Sequence, residues 1–100
     1  MYIVVNHRIS DPNAFWSTAE RELPNVPNGM VMHGSYPNGD GTAATCIWEA
    51  SAVPQLRDYL EGVVGSYSDN EYMVVEPSKA YGLPVSKVGG ANVKKPAPTY

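Results

Sequence analysis

Cysteine is almost missing from this chain: Cys46 is the one thiol in 100 residues. It can close neither an internal disulfide nor a four-cysteine zinc site. Phenylalanine also stands at one, and histidine at two. No apolar run approaches the roughly 18 residues a membrane span requires, so no membrane is expected. The 9 Gly and 9 Pro form no repeating triplet, which excludes collagen. Gly39-x-Gly41 lies in a turn segment, not ahead of a helix, so it is no phosphate loop. There is no Gly-x-Ser-x-Gly elbow for a serine hydrolase. A formal charge of −3 argues against nucleic acid as the main partner. Met1-Tyr2-Ile3-Val4-Val5 is apolar at once, with no basic leader. With a single unpaired cysteine, the expected compartment is the cytoplasm.

What the chain does have is 43% hydrophobic residues and 17% charged ones, the balance of a folded chain. Its length suits one domain. Charge is unevenly placed. Residues 1–77 hold three arginines and all ten acids, while 78–100 hold four lysines and no acid. The reading is a domain over 1–84 and an irregular, basic, proline-containing tail over 85–100. That tail either lies on an acidic body or is solvated.

Residues 2–9 read as a strand rich in β-branched side chains. Ser10 or Asp11 then caps a helix with Pro12 at its first position. Phe15, Ala19 and Leu23, flanked by Trp16, form its apolar stripe, and Pro24 ends it. Residues 30–36 and 43–50 read as two strands joined through Pro37-Asn38-Gly39-Asp40-Gly41, which carries two hairpin signals. Ser51 is expected to cap a second helix, with Pro54 in its first turn and Gly65 as its stop. Val53, Leu56, Leu60, Val63 and Val64 make its buried stripe, with Tyr59 beside it. Residues 71–76 read as a fourth strand, broken by Pro77. The order is βαββαβ, the split pattern of ferredoxin-like α+β folds: a four-stranded antiparallel sheet with two helices on one face.

Both faces of that sheet carry large apolar groups. Ile3 and Val5 oppose Tyr2 and Val4; Cys46 and Trp48 oppose Ile47; Tyr72 and Val74 oppose Met73 and Val75. Two helices cover only one face. An uncovered apolar face is rare in monomers, so the sheet is expected to pair with a second copy as a homodimer.

His7 and His33 are the residues that titrate near neutrality, and either suits general acid–base work. Tyr36, Tyr59 and Tyr72 can bond an oxygen of a flat substrate, and Trp48 can wall its pocket. Seven tyrosines against one phenylalanine favour such a lining or a tyrosine-rich dimer interface. His33 and Cys46, on neighbouring strands, supply metal-ligand types without a specific spacing.

Ser35-Tyr36, Asp40-Gly41 and Cys46-Ile47-Trp48-Glu49-Ala50 resemble the Ser-Tyr, Asp-Gly and Cys-x-aromatic-Glu-Ala pattern of the small nickel-binding ferredoxin-like group. That group belongs to the dimeric α/β-barrel superfamily, with antibiotic-biosynthesis monooxygenases and polyketide-type cyclases as wider relatives. The resemblance covers residues 30–57, and the rest only in element order. In the nickel group a histidine directly precedes the Ser-Tyr pair. Here Gly34 holds that place and His33 lies one residue earlier, on the opposite face unless a bulge restores it. Haem-degrading relatives resemble this chain in Asn6 and in an aromatic at Tyr59. They also place a histidine after the second helix, where Gly65-Ser66-Tyr67-Ser68 has none. The resemblance implies a dimeric barrel with a small-molecule ligand. Its chemistry would be of the cofactor-free monooxygenase or cyclase type on an aromatic or polyketide-like compound, with no cofactor expected. The alternative it implies is a non-enzymatic nickel-type binding protein using His33 and Cys46.

Overall fold

A computed structural model describes residues 1–88. The basic stretch 89–100, with Lys94 and Lys95, lies outside the described residues. Six main elements follow one another: β1 (Tyr2–Ile9), α1 (Pro12–Glu22), β2 (Val31–Pro37), β3 (Ala43–Glu49), α2 (Val53–Val64) and β4 (Ser68–Val74). The strand order is β2-β3-β1-β4, with every neighbouring pair antiparallel. This arrangement is compatible with the ferredoxin-like pattern. No helix among the described residues is long and apolar enough to cross a membrane.

Local chemistry sets the element ends. Asp11 Oδ1 accepts from the Ala14 N–H at 3.1 Å, and Pro12 opens α1 where a missing N–H costs nothing. The second helix departs from expectation. Its cap is Ala52, without a side-chain bond, while the Ser51 hydroxyl and N–H both turn to Gln55 Oε1. Gly65 does stop α2, but in right-handed conformation. Glycine is needed there for room, because a Cβ would lie 2.4 Å from the Glu61 carbonyl oxygen. The loop between β2 and β3 turns at Gly41, whose φ is +75°. Trp16 Nε1 donates to the Gly41 carbonyl at 2.9 Å and ties this loop to α1.

The last strand begins three residues earlier than the apolar run suggests. Ser68 and Asn70 are polar, yet they face the helices, opposite Ile9 and His7. Side-chain bonds satisfy them: Ser68 Oγ donates to the Val64 carbonyl, and Asn70 Nδ2 donates to Glu61.

The helix-facing side of the sheet is the core. Ile3, Val5, Cys46 and Trp48 pack with Leu56 and Leu60 of α2. A second cluster joins Ile9, Phe15, Ala44 and Val64. Helix α1 contributes less, burying Phe15 and Thr18 while Leu23 stays exposed.

The opposite face is not left bare. Segment 83–88 of the same chain runs back across one end of it. Tyr2 Oη donates to the Pro84 carbonyl at 2.5 Å, and Glu49 takes the Lys87 backbone N–H at 2.9 Å and the Ser86 hydroxyl. The expectation that only a second copy can shelter this face is therefore too strong. The chain's own continuation shelters part of it. Tyr36 and Met73 remain 63% and 56% exposed on the rest.

Candidate functional site

Between the sheet and the two helices lies a cavity of about 240 Å³. The sheet supplies its floor through His7 of β1, Met32 and Ser35 of β2, and Cys46 and Trp48 of β3. These share one face because of the pleat and the antiparallel register, in which Ser35 pairs with Cys46 and Met32 with Trp48. Helix α1 adds Phe15 and Trp16, with Glu20 and Glu22 at the rim. Helix α2 adds Tyr59, Leu60, Val63 and Val64. The lining is mostly apolar, with a few convergent polar groups, which is the usual character of a small-molecule site.

Three polar groups matter. His7 is buried, at 5% exposure. Burial lowers its pKa below the ordinary imidazole value, against opposing contributions from its Asn70 bond and the Glu61 charge. Its Nδ1 sits 2.5 Å from Asn70 Oδ1, and its ring meets Phe15 edge-on at 5.2 Å. Trp48 is 3% exposed, and its indole N–H has no partner among the described residues. Such an orphan donor calls for an explanation. Tyr59 meets the Trp48 ring at 6.3 Å, and burial, then the Glu22 charge, raises its phenol pKa. It therefore donates rather than ionises near neutrality.

The remaining sequence-derived candidates lie elsewhere. Tyr72 faces the helices, but at the sheet edge, where its hydroxyl donates to Glu61 Oε2 at 2.8 Å. It lines a shallow outer hollow with Arg57 and Asn70. Asn6 is on the far face, where Oδ1 accepts from Thr45 Oγ1 at 2.7 Å. Tyr36 shares that face and is solvent-exposed.

His33 is the instructive case. The β2 ladder shifts register between Met32 and Gly34, and His33 is the extra residue. Its ring lies on the far face, with Nε2 2.9 Å from Glu49 Oε1, and the bulge puts Gly34 on that face too, which turns Ser35 to the cavity and Tyr36 away from it. Cys46 points the other way, into the core, with its thiol donating to Ser35 Oγ at 3.4 Å. The sheet thus separates His33 and Cys46, and they do not meet as a ligand pair. Burial raises the Cys46 thiol pKa, keeping it protonated near neutrality, and a thiol is a poor ligand until ionised. Among the described residues no group of three or more His, Cys, Asp or Glu is placed to hold a metal ion.

Sequence reading misses Asn70 and Glu61, which bear on His7, and the Trp16–Gly41 tie. Nothing local in the chain marks Asn70 as a partner of a residue 63 positions away. Only the β1–β4 register brings them together. The chain matches no family model, no curated protein and no solved structure.

Proposed function

We propose that this protein binds a small, flat, hydroxyl-bearing organic molecule in the cavity and removes a proton from it without a cofactor. The reading rests on one observation: a buried imidazole, its pKa lowered by burial, stands in the wall of an otherwise apolar pocket. His7 is the base. Trp48 walls the pocket and offers its orphan indole N–H to a substrate oxygen, and Tyr59 offers a second donor.

The volume narrows the ligand class. Apolar cavities of about 150 Å³ take benzene. Drug-sized ligands occupy about 300–1,000 Å³. At about 240 Å³ the pocket suits one ring or a compact pair of rings. Proton abstraction from such a compound gives an electron-rich anion. That is the opening step shared by cofactor-free oxygenation and by ring-closing condensation, the two reaction types carried in this proposal.

A panel of one- and two-ring phenols, followed by thermal shift, tests the reading. Phenols are expected to stabilise the protein, and His7→Phe, which keeps a ring of similar bulk, is expected to lose that effect. Stabilisation that survives His7→Phe unchanged overturns the role of His7.

The proposal includes a homodimer through the uncovered part of the far face, where Tyr36 and Met73 stand exposed beside half-buried Val4 and Ile47. Burying such surface contributes about 25 cal/mol per Å². Sedimentation at micromolar concentration is expected to give twice the 10.8 kDa chain mass. A single species at the chain mass removes the dimer. The compartment proposed is the cytoplasm, supported by the free, buried thiol of Cys46.

A further inference from the structure

We infer that Asn70 and Glu61 are positioning residues that hold His7 as its Nδ1–H tautomer, so that the cavity meets the bare lone pair of Nε2. The inference rests on the proposed cavity site and deepens it. It states which proton the site can take and why.

The amide orientation decides the tautomer. Asn70 presents one end to Glu61 Oε2 at 2.9 Å and the other to His7 Nδ1 at 2.5 Å. A carboxylate only accepts, so the end facing Glu61 is the NH2. The end facing His7 is then the carbonyl oxygen, with Ser68 Oγ 2.8 Å away. A carbonyl oxygen has no proton to give. His7 Nδ1 must carry one, and a neutral imidazole protonated there has its lone pair on Nε2.

The anchor is itself fixed. Glu61 Oε2 accepts a second bond, from Tyr72 Oη, on the outer side of the sheet edge. Arg57 stacks over the Tyr72 ring at 5.4 Å. Three positions on two elements, Glu61 of α2 and Asn70 and Tyr72 of β4, thus meet where α2 crosses β4.

An amide in this place differs from a carboxylate. Asn70 orients the ring and stabilises an imidazolium only weakly. It cannot take the Nδ1 proton, so a proton captured at Nε2 has no route out through Asn70. It returns through the cavity, to the substrate or to a departing oxygen. The Glu61 charge acts on this ring from α2, and the other ionisable groups lining the same cavity are Cys46 of β3, Tyr59 of α2, and Glu20 and Glu22 of α1.

Nitrogen-15 spectra of the histidine rings test this without any ligand. In the wild type above the His7 pKa, Nδ1 is expected to read as protonated and Nε2 as unprotonated. In Asn70→Ala the lock is gone, and the ring is expected to shift to the Nε2–H form that free histidine favours. The double variant Asn70→Asp with Glu61→Gln keeps an acceptor facing His7 and a donor opposite residue 70, without setting two carboxylates against each other. It is expected to restore Nδ1–H and to raise the His7 pKa by about 1 unit or more, since a carboxylate favours the charged ring. An Nε2–H tautomer in the wild type overturns the inference, as does an unchanged Nδ1–H signal in a folded Asn70→Ala. The two readings fail separately. Phenol binding to a protein whose His7 is Nε2–H leaves the cavity site and removes the lock. A proven Nδ1–H tautomer with no phenol bound keeps the lock and removes the site.

Discussion

His33 Nε2 lies 2.9 Å from Glu49 Oε1, on the side of the sheet away from the helices, and both side chains are almost fully buried. Strand alternation after Met32 puts the histidine there, and the pair holds down the segment that follows β4. Glu49 accepts from His33, from the Lys87 backbone N–H and from the Ser86 hydroxyl. Burial raises its pKa, and these three bonds together outweigh it, leaving the carboxyl below the ordinary glutamate range.

Glu49→Ala leaves three donors without their shared acceptor and is therefore expected to destabilise the fold by about 1–3 kcal/mol, the usual cost of an unsatisfied buried polar group. Urea unfolding checks the number. A loss under about 1 kcal/mol, the scale of an exposed pair, would mean that the clamp is open in solution.

Acid should act on the same clamp. A depressed carboxyl pKa contributes stability that is complete above the unfolded glutamate value and fades as pH falls through the folded one. Stability measured downward from pH 5 is expected to drop in the wild type and to drop less in Glu49→Gln. Parallel curves for the two proteins contradict this.

His7 gives a second window at higher pH. Its folded pKa lies below the unfolded value near 6.5, so the unfolded chain binds more protons between the two. Stability is expected to be full above about pH 6.5 and to decline as pH falls toward the folded pKa. His7→Phe should flatten that slope. A slope of the same size in His7→Phe assigns it to another group.

How much of this was readable beforehand follows from range. Leu56 and Leu60 could be placed on the core, and Ile3 with Val5 and Cys46 with Trp48 on one face each, because strand and helix periods are local; which sheet face meets the helices is not a local property. The hairpin at 37–41 and the Asp11 cap are equally local. Ser68 and Asn70 fall outside the strand read over 71–76 because polar side chains on a core face make sense only once Val64 and Glu61 are beside them. Segment 83–88 has no periodicity at all. Its place is set by Tyr2 and Glu49, far back in the chain. His7, Trp48 and Tyr59 were legible as cavity residues by chemistry. Asn6, Tyr36 and His33 were not separable from them, because facing depends on register and on the bulge.

Gly41→Ala probes the edge of the cavity. The residue sits at φ +75°, and a Cβ would come within 2.9 Å of Trp16 Nε1. Strain at one such position costs on the order of 1–3 kcal/mol. Thermal unfolding should show that loss, with weaker phenol binding as Trp16 is pushed from the cavity wall. Unchanged stability contradicts the tie between loop and α1.

His7 must meet the ligand inside the cavity for the proposed chemistry to occur. A nitrogen-15 titration with 1-naphthol, with naphthalene as the control lacking a hydroxyl, measures that directly. The expected result is a shift of His7 Nε2 and of the Trp48 indole N–H with 1-naphthol, and no Nε2 shift with naphthalene. Saturating 1-naphthol that leaves both signals in place, or no binding up to millimolar concentration, would contradict it.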